Sequence, residues 1–355
     1  MAAQHNPSTS ADFSSGKAGA VTLRLPGIDS LRGAGVLAMF AAHVARVVPP
    51  ATDAEKLGLY EWLMRFEPAI SACFLCLVGW CLAWSYQHSR PGGRWYARCC
   101  KRALLLYACG VVLFTLQHGP NFPDALLSPD ILSVIAAAIV VVGACLSVGG
   151  ATLWAAAAVV LALALSLESA ELSISGLNAG PGGVVPALAF ALFGAALATP
   201  RRLSPITLCV VCLSVSLLAF ALPGELVLEH RSVYRSSGAS GHPVWFWNHT
   251  ARAVLVLSGP LAVLLTLASR PRPAGVSKLN PLAAVGRHAL VVYVGHLLTL
   301  GVVGCLLGVP LKGGATLILS VLGLAGLALQ VSLLLESRCV AHWRARLHER
   351  TGVRL

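Results

Sequence analysis

The chain has 355 residues, of which 11% are charged and 57% are hydrophobic, and its mean hydropathy is +0.77. Soluble domains carry about a quarter charged residues, so this composition excludes a soluble globular protein, and it equally excludes a disordered chain. The net charge of +12 does not indicate a nucleic-acid partner, because the basic residues are sorted into alternate loops between apolar segments. Long unbroken apolar runs also argue against the period-two pattern of a membrane β-barrel.

The polar N-terminal stretch 1–26 lacks the apolar core and cleavage site of a signal peptide, so it is predicted to be a tail. A transmembrane domain is predicted over 27–337, followed by a basic cytoplasmic tail over 338–355. Because a helix needs about 20 apolar residues to cross a bilayer, we predict an all-α polytopic protein with about ten transmembrane helices. The predicted spans are 28–48, 66–86, 102–118, 130–148, 151–168, 183–200, 204–222, 250–269, 286–308 and 315–336.

The distribution of arginine predicts the orientation of these spans. The loop after the second span carries a basic cluster, Arg94, Arg98, Lys101 and Arg102, and the loops after the sixth and eighth spans are also basic. The loops on the opposite side are acidic or mixed. By the positive-inside rule, both termini are expected in the cytoplasm. We therefore predict a multi-pass protein of a cell membrane, and we place it in a bacterial inner membrane.

The eleven cysteines do not form the framework of a secreted disulfide-rich protein, because most of them lie inside apolar runs. Cys73 with Cys76, and Cys209 with Cys212, have CxxC spacing. On a membrane helix this spacing places two small apolar side chains on one face. No His–Cys cluster accompanies the pairs, so packing is favoured over redox chemistry and no metal is predicted.

Two histidines are predicted to lie deep in the membrane, where polar residues are costly and therefore suggest function. His43 follows Arg32 by eleven residues, a helical rise of about 16 Å. His296 follows Arg287 by nine residues, a rise of about 13 Å. Both spans run outward in the predicted topology, so the two imidazoles are expected at similar depth in one cavity. His43 is a candidate general base. The alternatives are a histidine hydrogen-bonded between helices, and a polar residue near the outer end of a span.

Three further charged residues are candidates for a site. Glu67 opens the second span and could orient or charge-stabilise His43, because a short loop joins the first two spans. Arg98 and Arg102 have helix-like spacing and could bind the phosphates of a nucleotide cofactor. The positive-inside rule alone also accounts for the basic cluster to which they belong.

Four segments resemble membrane acyltransferases of the acyltransferase-3 type. GIDSLRGAGVLAMFAAH (27–43) is similar to their first span, whose signature is an Arg, ten residues and a His. FLCLVGWCLAWSY (74–86) resembles the second span of the wider superfamily, and RWYARCCKRALLLY (94–107) resembles the basic start of the third. NPLAAVGRHALVVYVGH (280–296) resembles a late span that ends in Tyr-x-x-His. Together these segments cover about a quarter of the chain.

Other residues resemble a different branch of the superfamily. The acyltransferase-3 type usually has Ser-Gly-Phe where this chain has Val78, Gly79 and Trp80. The Val-Gly pair, and Gly-Arg-His-Ala-Leu in the ninth span, are more similar to heparan-α-glucosaminide N-acetyltransferases. That branch often carries its catalytic histidine in the outer loop after the first span. Here the loop 49–62 contains no histidine, which leaves His43 as the candidate of this region and leaves O- versus N-acylation open.

The resemblance implies transfer of an acyl group, most simply acetyl, from cytoplasmic acyl-CoA to a hydroxyl or amine. The acceptor would be a sugar, a glycolipid or a secondary metabolite that arrives from the outer side. The implied co-substrate is acyl-CoA, without a metal. The implied site has His43 as base or acyl carrier with support from His296 and Glu67. Arg32, Arg98, Arg102 and Arg287 would bind the CoA phosphates.

Two other functions compete with this interpretation. A proton-coupled transporter would use His43 and His296 as proton-relay residues. The sequence shows no inverted repeat and no matching pair of Gly/Pro-broken spans, which argues against a transporter. A non-catalytic membrane scaffold would have no use for two deep histidines. The sequence leaves the oligomeric state open, including a homodimer.

Cysteine labelling tests the predicted orientation. In a variant that lacks the native thiols, Ser237→Cys in the loop 223–249 should react with a membrane-impermeant maleimide added outside intact cells. Ser89→Cys, in the loop 87–101, should react only after the cells are permeabilised. Labelling of Ser237→Cys from the cytoplasmic side alone would contradict the topology.

Overall fold

The computed structural model describes residues 25–48, 51–53, 58, 60–89, 92–120, 122, 124–127, 131–172, 174, 176–178, 183–199, 204–221, 229–234, 244–270, 280–307 and 313–336. The helices are α1 (Pro26–Val47), α2 (Glu61–His88), α3 (Gly93–His118), α4 (Asp124–Leu127), α5 (Ile131–Val148), α6 (Gly150–Ser169), α7 (Ala187–Ala198), α8 (Pro205–Ala221), α9 (Ala251–Ala268), α10 (Pro281–Arg287), α11 (Ala289–Leu307) and α12 (Gly314–Glu336). The predicted tails, 1–26 and 338–355, lie outside the described residues except for Leu25 and Pro26.

Each of the ten predicted spans contains a helix. Six helices are long and apolar enough to cross a membrane by length and composition: α2, α3, α5, α6, α9 and α12. The pair α10 and α11 would add a seventh if it counts as one span, although the two helices meet at an angle of 86°. The helices α7 and α8 are apolar but shorter. The protein is thus a polytopic helical membrane protein, and the number of ten crossings stays a prediction.

A two-stranded antiparallel sheet lies within the predicted outer loop 223–249. Strand β1 (Glu229–Tyr234) pairs with β2 (Val244–His249), so that Glu229 is opposite His249 and Tyr234 is opposite Val244. The prediction of an all-α protein did not include this hairpin. The sequence VWFWNH of β2 is rich in aromatic residues, which favour strands.

Helix α2 packs closely along α7, and glycine makes that approach possible. A Cβ atom at Gly79 would overlap the Ala191 carbonyl, and a Cβ atom at Gly194 would overlap the Cys76 carbonyl. The buried Cys76 thiol donates to the Phe190 carbonyl at 3.1 Å. Small residues that let helix backbones approach are typical of membrane interfaces. This contact holds the N-terminal group of helices together.

A second close approach joins α1 to the short helix α10. A Cβ atom at Gly33 would overlap the Leu282 carbonyl, and a Cβ atom at Gly286 would overlap the Asp29 carbonyl. Asn280 caps α10, because its Oδ1 accepts from the backbone N–H groups of Leu282 and Ala283 at 3.1 and 3.3 Å. The same side chain donates through Nδ2 to Ser30 Oγ at 2.8 Å. Helix α10 is therefore fixed to the N-terminal half of α1.

Helix α1 lies between two groups of helices. On one side it contacts α2, and on the other it contacts α10, α11 and α12. The buried side chains of Val36, Phe40 and Val44 pack with those of Val292 and Leu324 in the second group. Large apolar side chains remain exposed on outward helix faces, for example Leu105, Val159, Leu218 and Leu319. A bilayer would cover these faces, since lipid tails are as apolar as leucine.

Alanine substitutions test the close approach of α1 and α10. Gly286→Ala should lower the free energy of unfolding by about 1–3 kcal/mol, because its Cβ has no space beside the Asp29 carbonyl. Gly326→Ala in α12 is the matched control, since no atom lies within 4 Å of a Cβ there. The control should be neutral or more stable by up to about 1 kcal/mol. Thermal unfolding in detergent measures both, and equal effects would contradict this packing.

Candidate active site

The two predicted histidines are in direct contact. Nδ1 of His43 in α1 lies 2.9 Å from Nε2 of His296 in α11, which is a hydrogen-bond distance. The two rings are nearly parallel, at 16°, with centroids 5.1 Å apart. The structure thus brings the two imidazoles together, although 253 residues separate them in the sequence.

Aromatic side chains enclose the buried member of this histidine pair. The rings of Phe40 and His296 have centroids 4.3 Å apart, and the Tyr293 ring meets His296 edge-on at 5.1 Å. His296 is only 3% exposed and Tyr293 only 4% exposed, whereas His43 is partly exposed. Nδ1 of His296 makes no hydrogen bond of normal geometry with the part of the chain that the structure describes. The exposed part of the histidine pair is therefore His43.

Arg32 lies at a junction of three helices, eleven residues before His43. Its Nη1 is 3.5 Å from Asp29 Oδ1 and donates to the Gly286 carbonyl at 3.2 Å. Its Nη2 donates to Cys81 Sγ at 2.6 Å. The Arg32 side chain remains 24% exposed. The guanidinium thus ties α1 to α2 and α10 and still has a side open to a ligand.

The predicted ninth span is broken at His288. Helices α10 and α11 meet there at 86°. Arg287 Nε donates to Glu336 Oε1 at 2.5 Å, and Nε2 of His288 lies 3.7 Å from the same oxygen. Glu336 is the last residue of α12, so it connects the end of that helix to the bend. Arg287 is therefore already paired with a carboxylate.

Extrapolation along α1 and α2 predicts that Glu67 lies near the level of the histidine pair. Helices α1 and α2 pack antiparallel, with Arg32 against Cys81 and Gly35 beside the Phe74 ring. If this antiparallel register continues along α1, His43 lies opposite about residues 66–70 of α2. The Glu67 side chain is half-buried there, and its carbonyl accepts from Ser71 Oγ at 2.9 Å.

Arg98 and Arg102 are exposed on α3, which packs against α5. A cavity of about 600 Å³ lies beside the start of this helix. Its lining residues are Tyr86, Gly92, Gly93, Tyr96, Ala144 and Ser147. The cavity joins the end of α2, the start of α3 and the end of α5, which all face the cytoplasm in the predicted topology. Aromatic rings and basic side chains at one membrane face suit a nucleotide.

A comparison with protein families identifies the N-terminal half of this arrangement. The family model of heparan-alpha-glucosaminide N-acetyltransferase, catalytic, matches residues 24–198. The match supports a place for the chain in the heparan-alpha-glucosaminide N-acetyltransferase-like family of acyltransferases. No curated protein gives a match to the chain. The family supports a membrane acyltransferase function.

The acetyltransferase match covers α1 to α7 and so includes Arg32, His43, Glu67, Arg98 and Arg102. The two other predicted site residues, Arg287 and His296, lie beyond it. The structure nevertheless brings His296 to His43, and Arg287 follows Gly286, whose carbonyl contacts Arg32. The candidate site therefore combines the matched segment with the C-terminal helices.

The sequence did not predict three residues of the candidate site. Cys81 contacts Arg32, Phe40 covers His296, and Glu336 binds Arg287. Glu336 had a signal, because it is a single carboxylate at the end of an apolar span. Phe40 and Cys81 had none, since apolar residues of both types occur throughout these helices.

Proposed function

We propose that the protein transfers an acyl group, most simply acetyl, from cytoplasmic acyl-CoA to a hydroxyl or amine of a sugar, glycolipid or secondary metabolite. The observation that carries this proposal is the hydrogen-bonded histidine pair in a chain whose residues 24–198 match an acetyltransferase family. We further propose ten membrane crossings with both termini in the cytoplasm, as the arginine distribution favours. In that arrangement Arg32 lies near the cytoplasmic face and His43 lies about 16 Å further into the membrane.

His43 performs the chemistry in this proposal. As a general base it takes the proton of the acceptor hydroxyl or amine, whose oxygen or nitrogen then attacks the thioester carbonyl. The carbon–sulfur bond breaks, and CoA leaves as the thiol after it takes up the proton. Alternatively, His43 itself attacks the thioester and the acceptor then takes the acyl group from the imidazole. Both routes give the same products, and neither exports CoA.

The donor would bind along the cytoplasmic ends of the helices. The Arg32 side chain is partly exposed, and Arg98 and Arg102 are exposed on α3, whose first turn borders the cavity of about 600 Å³. Charge-assisted hydrogen bonds from arginine to phosphate are among the stronger ones in proteins. Arg287 would have to exchange its Glu336 partner for a phosphate. Glu67, at the level of His43, would orient the imidazole or stabilise its charge.

Transfer of a radioactive acetyl group tests the function directly. Purified protein is incubated with radiolabelled acetyl-CoA and, in separate reactions, with glucosamine and with lipid and glycan extracts of the host. Label in an acceptor or on the protein supports an acyltransferase. Proton-coupled flux of a solute into proteoliposomes, without label transfer in any reaction, would instead support a transporter.

Substitution of Arg32 tests the donor site. Arg32→Ala should raise the KM for acetyl-CoA at least several-fold, because a charged hydrogen bond contributes about 1.5–3 kcal/mol. Arg252→Ala is the control, since Arg252 caps α8 by donating to the Ala219 and Phe220 carbonyls. The control should lose stability without a change in this KM. An unchanged KM in folded Arg32→Ala would remove Arg32 from the donor site.

Substitution of His43 separates the proposed functions. His43→Ala should lower turnover by on the order of a hundredfold to ten-thousandfold, the usual cost of losing a general base. Expression and acetyl-CoA binding should remain close to those of the unmodified protein. If His43 only packs between helices, the variant should instead melt at a lower temperature and keep its turnover per folded molecule. Melting, binding and turnover are measured on one preparation.

A further inference from the structure

The contact of the two histidines constrains which atom of the site can react. The hydrogen bond uses Nδ1 of His43 and Nε2 of His296. A neutral imidazole has one N–H donor and one acceptor nitrogen. One proton therefore lies between the two rings, and of the four ring nitrogens only Nε2 of His43 and Nδ1 of His296 are outside this bond.

The surroundings of the pair distinguish these two nitrogens. His296 is 3% exposed, with Phe40 and Tyr293 packed against its ring. His43 is partly exposed on α1. The exposed surface of the pair therefore belongs to the His43 ring, whereas the His296 ring is enclosed.

We propose that His296 is a positioning residue: its Nε2 accepts the Nδ1 proton of His43 and so leaves Nε2 of His43 as the reactive nitrogen. This assignment rests on the proposed acyl transfer. For Nε2 of His43 to act as base or nucleophile, its lone pair must be free, so the ring must carry its proton on Nδ1. Nε2 of His296 is the acceptor at the correct distance to select that tautomer.

The same hydrogen bond contributes most while the reaction proceeds. When Nε2 of His43 takes a proton or an acyl group, the His43 ring becomes positively charged. Its Nδ1–H then donates to the neutral His296 ring, and a hydrogen bond from a charged donor is stronger than one between neutral groups. An interaction that strengthens on the way to the transition state raises kcat and not substrate affinity. His296 is thus expected to affect turnover without touching the donor.

Two substitutions at one position test this role. The assay uses radiolabelled acetyl-CoA with the acceptor preparation that takes up label from the unmodified protein. His296→Phe removes the acceptor and should lower kcat by about tenfold to a hundredfold, with the KM for acetyl-CoA changed less than about twofold. His296→Gln offers an amide oxygen to His43 and should recover a measurable part of kcat. Leu324→Ala, a buried packing change in α12, is the control that should lower the melting temperature without lowering kcat per folded molecule.

A second readout does not depend on activity. Nitrogen NMR of protein labelled with ¹⁵N-histidine, assigned by comparison with His43→Gln, should show His43 protonated on Nδ1. The His43 signals should change in His296→Phe.

A His43 ring protonated on Nε2, or His296→Phe with unchanged kcat, would overturn the positioning role. Loss of turnover in His43→Gln together with full turnover in His296→Phe would leave the proposed function standing and remove only this inference. Absence of label transfer by the unmodified protein would contradict the proposed function, while the spectra would still decide the tautomer.

Discussion

The close backbone contact between α1 and α10 determines the arrangement of the site. Because Gly33 and Gly286 have no side chains, the two helices approach until their main chains touch. Asn280 caps α10 and hydrogen-bonds to Ser30 of α1, which fixes the register of the pair. The chain turns by 86° immediately after Gly286 and Arg287, so the start of α11 is set by the same contact. His296 lies in α11, eight residues after the bend at His288, and there it contacts His43.

A charged group at the same junction reinforces the contact. A guanidinium in a membrane is costly unless it is paired or reaches the interface. Arg32 has Asp29 as a counter-ion and also donates to the Gly286 carbonyl and to Cys81 Sγ. The Gly286 carbonyl lies in the last turn of α10, so the arginine binds the end of that helix. One side chain therefore connects three helices at this junction.

The features of the fold that follow from hydrophobicity and helical rise could be predicted from the sequence. All ten apolar segments contain helices. Counting residues from Arg32 and Arg287 predicted a similar depth for His43 and His296, and the structure places their rings in contact. The bend at His288 could not be predicted, because no proline marks it. The pairing of Arg287 with Glu336 depends on how α12 meets α10, which is tertiary information. The roles of Glu67, Arg98 and Arg102 depend on ligands and stay predictions.

The histidine pair also has a consequence for the order in which the protein is made. His43 and His296 are 253 residues apart, and Arg32 and Gly286 are 254 apart. At about 5–20 residues per second, the ribosome adds α11 on the order of ten to fifty seconds after α1. During this interval α1 has neither α10 beside its glycine nor the Gly286 carbonyl beside its arginine. Until then the Arg32 guanidinium can reach the membrane surface, because long basic side chains extend toward the interface. Assembly of the site is thus among the last steps of biogenesis, and a ribosome that stops before α11 releases a chain with His43 but without its partner.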